Sequence, residues 1–213
     1  MRLRRDLERG AGIEHANRRV LLYFVIPLWL ASGLADWYQH RKTHIERTAG
    51  AHESVVHLLM LAEAGVPALA GLFLEVNAGV LVLSFGAFAA HELTALWDVA
   101  YAEVRRHVSP TEQHIHSYLE IGPLMAVAFL TALHWDQARA LIGRGEHVAE
   151  FVLRRKRHPL QRAYVLALLA AIGALGVVPY VEELVRCYRF SRTLAPLPAP
   201  PEPATPTLRI PVA

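Results

Sequence analysis

Residues 20–38 read VLLYFVIPLWLASGLADWY, and Asp36 is the only charged side chain in the run. Crossing the hydrocarbon core of a bilayer takes about 20 mostly apolar residues. A buried helix of a soluble protein can be equally apolar, so the neighbouring stretches decide between the two solvents. Two further apolar blocks, 54–74 and 78–101, are separated only by Glu75-Val76-Asn77. A fourth runs over 115–135 and a fifth over 163–181. Five such blocks in 213 residues leave little amphipathic surface to face water. The expectation is an all-α integral membrane bundle of about five transmembrane helices.

The segments between the blocks set the domain plan. Residues 1–19 form a basic N-terminal arm, 20–185 the transmembrane domain with a polar loop at 136–162, and 194–213 a proline-rich tail expected to be disordered. The net charge of +3 does not point to nucleic acid, because the basic residues flank the spans as anchors at anionic headgroups do. The bilayer is the expected partner. Lys and Arg number thirteen on the side of the arm and the 136–162 loop, against nine on the other. That excess predicts a cytoplasmic N-terminus in a bacterial-type inner membrane. Gly33-Leu34-Ala35 has the small-x-small form of a cleavage site, but cleavage there would discard the first span. Cys187 is the only cysteine, which rules out an intrachain disulfide and a thiolate-rich metal site.

Histidine placement is the main functional signal. With five spans, His40, His44, His52, His57, His91, His107, His114 and His116 all fall at one end of the bundle. Asp36, His40 and His44 recur every four residues, so a helix running past the bilayer edge would stack them on one face. Histidines one turn apart can reach one metal ion, and a carboxylate on the same face can ligate or orient a ring nitrogen. The second span opens with Glu53 and His57 on a shared face and carries Glu63 nearly two turns deeper. A lipid-facing carboxylate at that depth costs about 2.5–3.5 kcal/mol, so Glu63 should face a partner inside the bundle. His91 and Asp98 are seven apart on the third span, and the short 75–77 connection brings His91 to the depth of Glu63. In SPTEQHIHSYLEIGP, residues 109–123, Glu112, His116 and Glu120 repeat every four residues. Pro110 suits a helix start that Ser109 or Thr111 could cap. His114 would join His116 only if it sat on the cap, before the first regular turn.

The candidate metal set is therefore His40, His44, His57, His91, His114, His116, Glu63, Asp98 and Glu120, a one-ended cluster carried by a four-helix core. Mixed nitrogen and oxygen donors suit iron, with zinc or manganese also compatible. Carboxylate–histidine sites in helical bundles hold two ions. The bland reading is interior hydrogen bonding without metal.

HRKTH (His40, His44) fits an HxxxH box, and HESVVH (His52, His57), His91 and the HIH at 114–116 add to it. Over about residues 36–120 the chain thereby resembles the histidine-box membrane hydroxylases and desaturases. The usual HxxHH boxes of that class are absent. The resemblance implies a di-iron centre, a lipid-like substrate and an external electron donor.

Other functions fit parts of the pattern. The same ligands would support hydrolysis by a metal-bound water. A b-type haem between two histidines would make the chain an electron-transfer protein, although the carboxylates exceed what a haem needs. A metal or proton carrier should line a path across the whole membrane, whereas here the polar groups gather at one end. An assembly protein would use them as glue between helices, with the small residues AAIGALG of the fifth span at a packing face.

Overall fold

The structure, a computed structural model, describes residues 2–193, with side chains from residue 10 onward. The expected proline-rich tail lies outside the described residues. No strand occurs among them, and the helices form five rods long and apolar enough to span a membrane. The first rod joins α1 (Arg2–Val20) and α2 (Ile26–Thr43) through a π-turn at Leu21–Val25. The next three are α3 (Gly50–Phe73), α4 (Ala78–Glu103) and α5 (Pro110–Leu133). After the short α6 (Trp135–Leu141), the fifth rod joins α7 (Arg162–Ile172) and α8 (Val178–Thr193) through a π-turn at Gly173–Val177. The basic stretch expected as an arm is thus helical. The fifth helix also runs three turns past the end of its apolar block.

α3 and α4 form an antiparallel hairpin, α2 packs on α5, and α8 packs on α3 and α2. The distribution of polarity is that of a membrane bundle. Leu93, Leu96 and Trp97 of α4 are exposed, while Asp36, His40, Glu53, His57 and Glu183 are buried. Lipid suits the first kind of surface, and the second needs partners inside the bundle.

Prolines shape the rods. Each π-turn ends just before one, Pro27 in the first rod and Pro179 in the fifth. A proline lacks the N–H for its i−4 carbonyl and crowds it, and an inserted residue relieves both. Pro123 in α5 frees the carbonyl of Leu119, and the Trp29 indole N–H donates to it at 3.1 Å. Gly122 completes the seat, since a Cβ there would overlap Trp29 Cδ1.

At the end away from the histidine cluster, the 142–161 connection straps across the bundle. Asn77 caps α4 by accepting from Val80 N at 3.1 Å and donates to the Val152 carbonyl at 2.9 Å. Gln137 Oε1 accepts from Ala78 N and Glu150 N. Lys156 reaches the Gly71 carbonyl at the end of α3, at 2.5 Å.

Candidate metal centre

All five rods bring acid–histidine pairs or single acids to one level. Asp36 and His40 come from α2, Glu53 and His57 from α3, and Glu112 and His116 from α5. Each pair is four residues apart, so the helical repeat places both side chains on one face. α4 adds Asp98 and α8 adds Glu183. Ser109 accepts from Glu112 N at 3.2 Å and starts α5 one residue before Pro110, which fixes the phase of Glu112 and His116.

The two central imidazoles, His40 and His57, stack with centroids 4.7 Å apart and planes 11° apart. Both direct Nδ1 at one carboxylate. Glu183 Oε2 lies 2.9 Å from His40 Nδ1, and Oε1 lies 2.8 Å from His57 Nδ1. Their Nε2 atoms face separate acid sets. His40 Nε2 is 3.2 Å from Glu112 Oε1 and 3.4 Å from Asp36 Oδ1, and His116 Nε2 approaches the same Asp36 oxygen at 3.0 Å. His57 Nε2 is 3.5 Å from Asp98 Oδ2 and 4.0 Å from Glu53 Oε1. In each of the sets Asp36–His40–Glu112–His116 and Glu53–His57–Asp98, the donor atoms lie within 4.8 Å of one another. These buried His, Asp and Glu groups could hold a metal ion.

Arg106, from the α4–α5 connection, lies between the sets. Its guanidinium hydrogen-bonds Glu53, at 3.1 Å from Nε to Oε1. Its Nη1 is 2.5 Å from Glu112 Oε1 but misaligned for a hydrogen bond, so that contact is ionic. Burial opposes its charge, yet Glu53 and Glu112 hold the guanidinium above its ordinary pKa. Tyr180 donates to Asp36 Oδ2 at 3.3 Å.

Charge and hydrogen bonding both favour cations here. Asp36, Glu53, Asp98, Glu112 and Glu183 are all buried, and Arg106 is the one Lys or Arg among them. With neutral histidines four negative charges remain, the number that two divalent ions neutralise. Isolated buried charges cost several kcal/mol each. His57 Nε2, Asp98 Oδ1 and both Glu112 oxygens are buried without a hydrogen-bond partner among the described residues. Those atoms are of the type and spacing that ligate metal.

Of the expected ligands, His40, His57, His116 and Asp98 come together. His91 and Glu63 pair beside the cluster, with Nδ1 3.9 Å from Oε2, and Thr94 donates to Glu63 Oε1 at 2.9 Å. They confirm their shared depth but belong to neither donor set. His44 falls away because α2 ends at Thr43. His44 takes the left-handed cap conformation, φ 56°, and its exposed ring meets Glu46. His114 sits on a regular turn of α5, two residues from His116, and so points out against Tyr118. Glu120 is exposed at the rim of a small pocket beside the cluster.

Four participants were outside the expected ligand set. Glu53, Glu112 and Asp36 were visible as the acid partners of i, i+4 pairs. Glu183 lies beyond the apolar block of the fifth span, and only the spacing of Tyr180, Glu183 and Cys187 on one helix face marks it. Comparison with known protein families, with curated proteins and with solved structures found no match.

Proposed function

We propose that the protein is a membrane metalloenzyme holding a pair of iron ions, which hydroxylates or desaturates a lipid-like substrate. The observation that carries this reading is Glu183. One carboxylate receiving Nδ1 from two stacked imidazoles, each with Nε2 turned to its own acids, is the carboxylate–histidine arrangement that orients metal ligands. Acid–histidine pairs projecting from several helices of a bundle are how paired iron is held. When bound, iron supplies the redox chemistry that splits O₂, consuming two electrons from an external donor and two protons as a C–H bond is hydroxylated or a C–C bond desaturated.

The chain's own residues set the conditions. Arg106 offsets one of the two charges of Glu53 and Glu112, Tyr180 fixes Asp36, and Glu183 holds the ring tautomers. A small pocket beside the cluster is walled by Trp29, Met60 and Leu61 as well as by Asp36, His57 and His116. Those apolar walls suit an alkyl group and exclude water. His40 and His57 are not placed to be the two axial ligands of a haem, because their rings lie face to face with no flat slot between their nitrogens.

The test is to load reduced protein with iron under nitrogen, add mixed long-chain lipids, and admit O₂. The expected result is oxygen uptake together with lipid products that have gained one oxygen atom or lost two hydrogens. Iron binding without any such product would overturn the oxidative assignment.

A further inference from the structure

The pocket beside the cluster shares Trp29, Leu30, Leu61 and His91 with a much larger apolar chamber of ≈ 700 Å³. Along α3 the chamber wall runs from Leu58 to Leu72, a rise of about 21 Å at the helical repeat. Its walls are chiefly Leu, Ala, Val and Gly, and its polar groups gather at its two ends. Near the cluster stand His91 and Glu63, and at the far end stand Arg18, Lys156, His158, His134 and Glu75.

We infer that the chamber binds one long-chain fatty acid, with its carboxylate at Lys156 and Arg18 and its methyl end against Trp29 and His91. The volume is that of a site for a single ligand, about 300–1,000 Å³, which suits one chain and not the two of a phospholipid. At the far end Arg18 and Lys156 line the chamber together with Glu75, whose carboxylate is already engaged with the Arg157 backbone N–H at 2.6 Å. Among the described side chains Arg18 pairs with Glu14, and both are solvent-exposed, an arrangement that leaves the guanidinium free to exchange partners. Lys156 is half-buried and has spare donors beyond its bond to Gly71. Because the head is fixed at the end away from the metal centre, the carbons presented to the centre are those remote from the carboxylate. This last consequence rests on the function proposed above, whereas the binding itself does not.

The test uses a 16-carbon fatty acid with a nitroxide near its methyl end or near its carboxyl end, titrated into purified full-length protein. The methyl-end probe should quench fluorescence saturably, with the effect lost in Trp29→Phe, while the carboxyl-end probe quenches Trp29 several-fold less. A Cβ at Gly65 would meet nothing within 4 Å, so Gly65→Phe grows into open chamber space and should abolish binding, whereas Gly65→Ala should retain it. Lys156→Met should weaken the acid about tenfold relative to the corresponding alcohol. Stronger quenching of Trp29 by the carboxyl-end probe, taken as the part of the signal lost in Trp29→Phe, unchanged binding in Gly65→Phe, or an equal effect of Lys156→Met on acid and alcohol would each overturn the proposal. Metal content measured on the same samples separates the two readings, because binding without metal would remove the oxidative role and leave the fatty-acid site.

Discussion

Glu183 does more than any other side chain to organise the centre, and its replacement gives the sharpest expectation. Glu183→Gln keeps the shape but removes an acceptor from one of the two Nδ1 groups. Losing such an orienting partner typically costs about 10–100-fold in metal affinity, and a competing-chelator titration should show that loss. His44→Ala and His114→Ala should leave the same titration unchanged, since both rings lie outside the donor sets. Arg106→Ala would leave Glu53 and Glu112 facing each other without a cation. Breaking a buried ion pair costs about 3–5 kcal/mol, so thermal unfolding should fall sharply in metal-free protein and less after metal loading. Away from the cluster, His134 gives a pH dependence. Burial, then the nearby Lys156 ammonium, hold its imidazole below the ordinary value of 6.5. The unfolded chain therefore takes up that proton first, and the stability His134 contributes is complete above pH 6.5 and lost as the pH falls below it. Unfolding midpoints measured from pH 7 to 5 should decline less steeply in His134→Gln.

The helices explain what could be read in advance and what could not. Apolar runs gave the number and order of the rods, because bilayer thickness sets their length. Their ends were less legible. Hydropathy stops at the first polar residues, yet here Glu53, Glu112 and Glu183 are buried against other helices, and the helices continue through them. For that reason the fifth block, cut at Val181, missed Glu183. The face shared by Asp36, His40 and His44 was drawn on a helix that in fact ends at Thr43. Basic residues flanking the spans read as headgroup anchors, yet the folded α4–α5 connection turns Arg106 inward. Proline effects were equally hidden, since a missing hydrogen bond matters only when its freed carbonyl finds a partner. The Trp29 seat tests that account. Gly122→Ala places a methyl group against the indole, an overpacking that should cost about 1–3 kcal/mol in thermal unfolding and shift the Trp29 emission.

Taken whole, the spans present large apolar side chains outward and bury acids and histidines within, with the buried acids gathered at one end and an apolar chamber leading away from them. Such an interior is expensive unless cations hold it together. The most direct test is metal content on tag-free protein purified in detergent and loaded in turn with iron, zinc and manganese. The account predicts about two ions per chain for at least one metal, as carboxylate–histidine bundles hold. It predicts about one in Asp98→Asn and none in the His40→Ala/His57→Ala double variant. No bound metal after loading, or the same content in the double variant as in the unaltered chain, would contradict it.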